Sequence, residues 1–503
     1  MKNIAVINAI GLRPPAVRPL SDGVSALARA IAFGRGLPGV EEVALLLSQP
    51  LLDAGGVIAG VKTILRDDWS VAVLLDVLSA LGEGRDDILY FYGDCPLLDP
   101  SLAVRMLGNH RRYFADYTFA DGFPYGLSAE ILRGETARRL RSLAGDGPDA
   151  RRAPDRETLF TVIKKDINSF DIETELSAVD LRMLRATLAA DSERNFLLLS
   201  RVVERGGRDA ESACRLLQES PEILRTLPAY FPIQIAERCP QSCSYCPYPA
   251  VGGDPTKRSG LMPLESFASL LGKVERFVGE GVIGVSLWGE PSLHPDIPAL
   301  VSETLSRPGL ELVIETSGIG WDPAVFEKVR SSSSRAPTWI VSLDASQQAT
   351  YRALRGEGFT EALRTAEALL ALFPGSAWVQ AVRMKENEED LEAFFKSWKS
   401  RSENVIIQKY DSFCGMLPDR TVADLSPVKR FPCWHLLRDM PILLDGTVPL
   451  CREELKAERS LGNALVEDLA AIWQRGAAVH GSHLSGEYPG PCARCDEYYT
   501  YNF

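Results

Sequence analysis

Three cysteines near the middle of the chain lie close enough in sequence to bind one metal cofactor together. Cys239, Cys243 and Cys246 have the spacing C-x3-C-x2-C and follow an apolar run that predicts a β-strand. Thiolates are soft ligands that suit iron–sulfur clusters, and three of them leave one iron of a 4Fe–4S cluster open to another ligand. A zinc knuckle and thiols that merely pack are the alternatives, but a structural zinc site takes four ligands, and three cysteines in eight residues are too dense for packing. The spacing therefore favours a 4Fe–4S cluster.

This cysteine loop, with Tyr245 before its last cysteine, resembles the cluster loop of radical S-adenosylmethionine (SAM) enzymes. In that family the open iron chelates SAM, and one electron from the cluster cleaves SAM to a 5′-deoxyadenosyl radical. The resemblance implies an enzyme that abstracts a hydrogen atom from its substrate. It also implies an electron donor of the flavodoxin or ferredoxin type.

A second element of the same family follows the next predicted strand. Trp288-Gly289-Glu290-Pro291 resembles the family's GGE element, with Trp288 in place of its first glycine. Glycine lets the backbone approach a ligand closely, and a carboxylate accepts hydrogen bonds from an ammonium group. The resemblance therefore implies that Gly289 and Glu290 bind SAM.

Polar residues at three later strand ends complete the resemblance. Glu315 and Ser317 lie at the end of the third strand and are expected near the SAM ribose. Ser342 and Asp344 lie at the end of the fourth strand in an order similar to that of peptide-modifying members, which implies that Ser342 lies near SAM and Asp344 faces substrate. Arg383 follows the fifth strand and is the expected partner of the SAM carboxylate.

Four more cysteines form a set near the C-terminus: Cys433, Cys451, Cys492 and Cys495. Gly446-x4-Cys451 and Cys492-x2-Cys495 resemble an abbreviated SPASM extension of radical SAM enzymes. The resemblance implies one auxiliary 4Fe–4S cluster with four protein ligands. A rubredoxin-like zinc or iron site is the alternative.

The remaining cysteines are isolated in sequence. Cys414 follows the sixth predicted strand, and three interpretations stay open: a stray thiol, a substrate-side acid or hydrogen donor, or a spare metal ligand. Cys95 and Cys214 are expected to be structural.

The N-terminal part carries a different motif. Residues 92–100, YGDCPLLDP, resemble the GDCPLIDP motif of spore-coat-polysaccharide cytidylyltransferases, which implies a Mg²⁺ site at Asp94 and Asp171. The phosphate loop of that family is altered here, because Pro14 removes an amide donor and Val17 hinders close approach of the backbone. A degenerate domain that binds a nucleotide sugar, or serves as a scaffold, is therefore favoured over nucleotidyl transfer.

Alternating strand and helix patterns predict an α/β protein with four regions. Residues 1–185 are expected to form a nucleotidyltransferase-like domain with a mostly parallel sheet, and residues 186–228 a helical connector. Residues 229–425 are expected to form a partial (β/α)6 radical SAM barrel, and residues 426–503 a small SPASM-like segment. This order resembles the spiro-SPASM group of radical SAM proteins. The six predicted barrel strands are Ile233–Ala236, Ile283–Leu287, Glu311–Glu315, Trp339–Leu343, Val379–Val382 and Val405–Gln408.

The amino-acid composition and charge limit the classes of binding partner that we expect for this protein. The net charge of −12 over 503 residues argues against nucleic-acid binding. The sequence has no apolar run of about 18 residues and no signal-peptide pattern, so we expect a cytoplasmic protein without a membrane partner.

The SPASM resemblance favours a peptide or protein substrate, whereas the N-terminal motif suggests a sugar or a nucleotide-linked small molecule. The other hypotheses are a nucleotidyltransferase or nucleotide-sugar-binding protein whose iron–sulfur part is structural or regulatory, and a scaffold without chemistry.

Overall fold

The computed structural model describes residues 2–49, 59–251, 260–454 and 456–500. The chain divides into two units, Met1–Thr226 and Leu227–Phe503. The strands are β1 Asn3–Ala9, β2 Val40–Leu47, β3 Lys62–Leu65, β4 Asp87–Tyr92, β5 Tyr117–Asp121, β6 Glu130–Arg133, β7 Ile172–Leu176, β8 Tyr230–Pro232, β9 Gly281–Gly284, β10 Leu310–Thr316, β11 Thr338–Ser342, β12 Ala377–Arg383, β13 Val405–Lys409, β14 Thr447–Pro449 and β15 Ser460–Asn463.

The helices alternate with these strands over most of the chain. They are α1 Ala26–Gly36, α2 Val71–Gly82, α3 Pro100–Arg112, α4 Thr136–Ala144, α5 Pro148–Arg151, α6 Thr158–Ile163, α7 Glu193–Glu204, α8 Ala210–Glu219, α9 Tyr248–Val251, α10 Leu264–Val278, α11 Ile297–Leu305, α12 Pro323–Ser332, α13 Gln348–Arg355, α14 Phe359–Leu372, α15 Glu388–Lys399, α16 His435–Arg438, α17 Leu469–Arg475 and α18 Ala477–Leu484.

The first unit is built on a seven-stranded sheet in the order β3-β2-β1-β4-β6-β5-β7. Strand β6 runs antiparallel to β4 and β5, and the other neighbours are parallel. Every residue of β1 is buried, as expected for a central strand with both faces covered. The predicted mostly parallel sheet is confirmed. Helices α7 and α8, which lie in the predicted connector, belong to this unit.

The second unit contains six parallel strands in the sequential order β13-β12-β11-β10-β9-β8. This order is that of a partial (β/α)6 barrel and confirms the predicted fold class. Two predicted strands are displaced along the chain, because β8 ends at Pro232 and β9 ends at Gly284. The apolar residues Ile233 and Ile235 are nevertheless fully buried, so they pack in the core outside a regular strand.

The C-terminal segment pairs with the open edge of the barrel sheet. The N–H groups of Met440 and Ile442 donate to the carbonyls of Tyr230 and Pro232, at 2.9 and 2.8 Å, and the pairing is parallel. The Lys273 ammonium group on α10 donates to three carbonyls of residues 464–467. One hydrophobic core includes both the barrel helices and apolar side chains of the C-terminal segment.

Among the described residues, we find no helix that is both long enough and apolar enough to cross a bilayer.

Candidate functional site

The loop with the first three cysteines is held on the barrel by hydrogen bonds from α13. The Ser244 N–H donates to the Leu354 carbonyl at 2.8 Å. The Gln241 side chain donates to the Tyr351 hydroxyl at 2.8 Å and accepts from the Arg355 guanidinium at 3.0 Å. Cys239 is exposed, whereas Cys243 and Cys246 are half-buried, and all ten cysteines of the chain are free thiols. Three soft donors on one fixed loop fit the chemistry of an iron–sulfur cluster with an open iron.

A buried ion pair lies behind this loop. The Asp344 carboxylate accepts from the Arg355 guanidinium at 2.5 Å, and the side chains are 0% and 5% exposed. The Tyr245 hydroxyl also donates to Asp344, and the other carboxylate oxygen accepts from the Val382 N–H at 2.6 Å. Asp344 has a φ of 64°, a left-handed conformation that aspartate tolerates better than most residues. Its predicted contact with substrate stays a prediction, and this geometry favours a positioning role instead.

Gly289 and Glu290 lie in the loop beyond β9, the second barrel strand, which ends at Gly284. Gly289 has a φ of 94°, and a Cβ there would overlap the Ala236 carbonyl, which explains the glycine. Glu290 is buried, with one oxygen accepting from the Thr316 hydroxyl at 2.5 Å and the other from the Ser317 N–H at 2.8 Å. Burial raises the pKa of this carboxyl group. Glu290 thus holds the end of β10, and its predicted bond to the SAM ammonium group stays a prediction.

Glu315, Ser342 and Gln380 lie together at the ends of three adjacent strands. The Gln380 amide donates to Glu315 at 2.9 Å, and the Ser342 hydroxyl donates to the same oxygen at 3.4 Å. The Glu315 N–H donates to the Ser286 hydroxyl at 2.7 Å. Because Glu315 is exposed and its carboxylate is fixed in place, it is prepared to accept hydrogen bonds from a cationic or hydroxyl group.

The other two predicted SAM contacts are placed differently. Ser317 is buried, and its hydroxyl accepts from the Ile319 N–H at 3.3 Å. Arg383 is 40% exposed and forms an ion pair with Glu388 at 2.5 Å. The structure therefore gives both side chains protein partners, and their contacts with SAM stay predictions.

A cavity of about 190 Å3 opens between the cluster loop and these strand ends. Tyr245 and Cys246 line one side, and Glu315, Ser342 and Gln380 line another. The cavity thus joins a predicted cluster ligand to the polar strand ends.

Aromatic side chains form a further part of the wall. The rings of Trp288 and Tyr248 stack with centroids 5.7 Å apart, and the Phe413 ring lies 5.6 Å from Trp288. Trp288 stands where the family motif has glycine, so the substitution adds a flat apolar surface to the cavity.

Charged residues from the end of β13 and from the C-terminal segment complete the lining. Lys409, Asp411 and Arg452 line the cavity. Lys409 pairs with Glu497, and Arg452 pairs with Glu453 at 2.8 Å. Burial raises the pKa of Asp411 well above its usual range, with a further contribution from the Glu453 charge.

Sequence reasoning missed this charged part of the site. Lys409 ends β13 and Asp411 lies two residues beyond it, so the strand-end rule that identified Glu315 could have found them. Arg452 follows the predicted ligand Cys451, and only the three-dimensional fold brings it to the cavity.

The predicted auxiliary ligands are drawn together by the C-terminal segment. Cys433 and Cys492 pack in one small core cluster, and Cys433, Cys492 and Cys495 all lie close to Cys451. Burial raises the pKa of Cys433 and of Cys451, so cluster binding must displace protons from these thiols. Four thiols in one enclosed site fit an iron–sulfur cluster.

The structure adds a fifth thiol to this set, because the buried Cys414 side chain hydrogen-bonds to Cys495. That bond raises the pKa of Cys414 and lowers the pKa of Cys495. Cys414 therefore lies beside the predicted auxiliary ligand Cys495, and a role as a spare ligand stays a prediction.

In the first unit, the two carboxylates assigned to Mg²⁺ lie at opposite ends of the sheet. Asp94 follows the C-terminal end of β4, whereas Asp171 precedes the N-terminal end of β7, which runs parallel to β4. The Arg156 guanidinium binds Asp94 at 2.6 Å and Asp191 at 3.1 Å. The expectation that Asp94 and Asp171 together form a Mg²⁺ site is therefore wrong. The acidic residue near Asp94 is Asp191, and the Arg156 guanidinium pairs with both carboxylates.

The family model of the radical SAM superfamily matches residues 233–397. The model of the SPASM iron–sulfur cluster-binding domain matches residues 433–496. A protein of Treponema pallidum (strain Nichols), described as uncharacterized, is 41% identical over 360 residues, which cover 69% of this chain and 98% of that protein.

Solved structures show more distant similarity. SuiB of Streptococcus suis bound to the precursor peptide SuiA is 14% identical, with a TM-score of 0.45 over 63% of this chain and 86% of SuiB. A cytidylyltransferase from Leptospira borgpetersenii is 16% identical, with a TM-score of 0.38 over 44% of this chain and 96% of that protein.

Proposed function

The chain belongs to the radical SAM superfamily and is a radical SAM enzyme with a SPASM iron–sulfur domain, and on that premise we propose that it modifies a peptide or protein substrate by hydrogen abstraction. The observation that carries the proposal is the cavity that lies between the cluster loop and the ends of β10, β11 and β12. The first cluster, when bound, supplies the electron that cleaves SAM.

The residues of this chain then have separable roles. Cys239, Cys243 and Cys246 hold the SAM-binding cluster. Glu315 binds SAM through its ammonium or ribose hydroxyl groups, and Gln380 keeps its carboxylate oriented. Substrate enters from the side of Lys409, Asp411 and Arg452, with Trp288 and Phe413 excluding water.

The composition of the cavity wall supports a peptide substrate. A peptide segment presents both amide groups and apolar side chains. The wall offers polar hydrogen-bonding groups at Lys409, Asp411 and Arg452 next to the aromatic rings of Trp288 and Phe413. An external flavodoxin- or ferredoxin-type protein supplies the electrons.

SAM cleavage is tested after anaerobic reconstitution with iron and sulfide, reduction with dithionite and measurement of 5′-deoxyadenosine. We expect product from the native chain and none from the Cys239→Ala/Cys243→Ala/Cys246→Ala variant. Product from this variant would contradict the ligand assignment.

Glu315→Gln tests the SAM contact. Loss of a charged hydrogen bond costs about 1.5–3 kcal/mol, so SAM affinity should fall about 10- to 150-fold. Glu311→Gln is the matched control, because Glu311 is an exposed residue of the same strand outside the cavity. Equal SAM affinity in both variants would refute the role of Glu315.

Substrate class is tested by isotope transfer. Protein and small-molecule fractions from cells grown in D2O are supplied separately, and deuterium in 5′-deoxyadenosine is measured. We expect deuterium transfer from the protein fraction. Protease digestion of that fraction should reduce the transfer. Transfer only from the small-molecule fraction would instead establish a sugar or nucleotide-linked substrate.

A further inference from the structure

Five thiols, rather than the four expected from the motif, lie at the auxiliary site. A 4Fe–4S cluster with four protein ligands needs one thiolate for each iron. Cys433, Cys451, Cys492 and Cys495 supply that number, so Cys414 is in excess. The structure nevertheless buries Cys414 to 5% exposure and directs its thiol to Cys495.

The backbone around Cys414 explains how this thiol reaches the site. Phe413, Cys414 and Gly415 have consecutive positive φ values of 49°, 56° and 79°. Non-glycine residues adopt this conformation at a cost, so the surrounding contacts must fix it. The Ser412 hydroxyl donates to Asp496 at 3.3 Å, next to Cys495 in sequence, and the Leu417 N–H donates back to the Ser412 carbonyl at 3.1 Å.

The neighbours of the Cys414 thiol also place it at the auxiliary site. Cys495, Cys451 and Glu453 all lie close to it. Two of these three residues are predicted auxiliary ligands. The Cys414 and Cys495 thiols are in direct contact, so both sulfurs lie on the same side of the cysteine set.

We infer that Cys414 is a reserve ligand of the auxiliary cluster and can replace Cys495 on its iron. In the exchange an iron–sulfur bond forms to Cys414 and one breaks to Cys495. The proton of the Cys414 thiol passes to Cys495 along their hydrogen bond, so charge is conserved and no electron moves. This inference concerns the auxiliary cluster alone and is independent of the substrate class.

The inference predicts that Cys495 is dispensable for cluster binding only while Cys414 is present. The test uses the full chain with the Cys239→Ala/Cys243→Ala/Cys246→Ala background, so that all bound iron belongs to the auxiliary site. Iron and sulfide per chain and the electron paramagnetic resonance (EPR) spectrum of the reduced protein are measured after anaerobic reconstitution. Cys492→Ala is the matched control, because Cys492 lies two residues from Cys495 within the same motif.

We expect about four irons per chain in the background protein, in Cys414→Ala and in Cys495→Ala. The EPR signal of Cys495→Ala should shift, since a different sulfur binds the iron. Cys492→Ala and the double variant Cys414→Ala/Cys495→Ala should both lose the complete cluster. The inference is overturned if Cys495→Ala loses as much iron as Cys492→Ala, or if the double variant keeps its iron.

Loss of iron in Cys414→Ala alone would also overturn it, because Cys414 would then be an ordinary ligand. If the multiple variants do not accumulate as folded protein, the same substitutions are made with the first cluster intact. About eight irons should then persist in Cys495→Ala and fall to about four in Cys492→Ala and in the double variant. Equal iron in Cys495→Ala and Cys492→Ala refutes the inference in this form too.

Discussion

Replacing Asp344 with asparagine should strongly destabilise the second unit. Asparagine keeps the shape of the side chain and tolerates the φ of 64°, so the substitution removes mainly the negative charge. The Arg355 guanidinium would then stay buried, at 5% exposure, without its countercharge. Breaking a buried ion pair in this way costs about 3–5 kcal/mol. For a unit of this size that free energy corresponds to a fall of about 6–20 °C in melting temperature.

The measurement is thermal unfolding of the anaerobic, cluster-loaded protein, followed by circular dichroism. Arg352→Gln is the control, because Arg352 lies on the same helix and pairs with Glu357 while both side chains are more than 70% exposed. An exposed pair contributes about 0–1 kcal/mol, so this variant should unfold close to the native protein. The iron content of Asp344→Asn should also fall, because Arg355 fixes Gln241 in the cluster loop.

Equal melting temperatures for Asp344→Asn and Arg352→Gln would refute this reasoning. Normal stability combined with loss of product formation in Asp344→Asn would favour the alternative that Asp344 contacts substrate.

Three further predictions concern other parts of the chain. Gly289→Ala should weaken SAM binding more than Gly356→Ala. Both positions have positive φ, but only at Gly289 would a Cβ overlap another backbone group. Equal SAM affinities in the two variants would contradict this. Burial raises the pKa of Glu130 from 4.5 to about 7, so the folded state keeps a proton that the unfolded chain releases, and stability should fall as pH rises from 4.5 to 7. Glu130→Gln should remove this dependence of stability on pH in denaturant titrations. An unchanged dependence would exclude Glu130 as its source. Millimolar Mg²⁺ should raise the melting temperature of Arg156→Ala but not of the native chain, because only the variant frees Asp94 for a metal; a rise in the native chain would show that Arg156 does not exclude the ion.

The order of elements could be predicted from sequence because strands and helices of an α/β fold leave local patterns. Short apolar runs separated by amphipathic helices predicted the six barrel strands in the correct order. The first strand was displaced, since Ile233 and Ile235 are as apolar as strand residues but are buried outside β8. Hydrophobicity reports burial, and it does not report which buried residues form a regular ladder.

Some parts of the candidate site could likewise be predicted from the sequence, and other parts could not. The spacing of Cys239, Cys243 and Cys246 is local and could be found in the sequence. Cys414 meets Cys495 across about 80 residues of chain, so their contact leaves no local pattern. The family resemblance also could not show that Arg156 stands beside Asp94, because arginine lies outside the motif.

The pairing of Met440 and Ile442 with β8 has a consequence for synthesis of the protein. An unpaired strand edge is a template for aggregation until it is covered. Here the covering residues follow β8 by about 200 positions, which a ribosome adds in roughly 10–40 s. During that time a nascent chain would present the Tyr230–Pro232 edge to its neighbours, and a chain truncated before Met440 would present it permanently. Nonsense mutations before the codon for Met440 should therefore yield insoluble protein rather than a barrel that merely lacks its C-terminal cysteines.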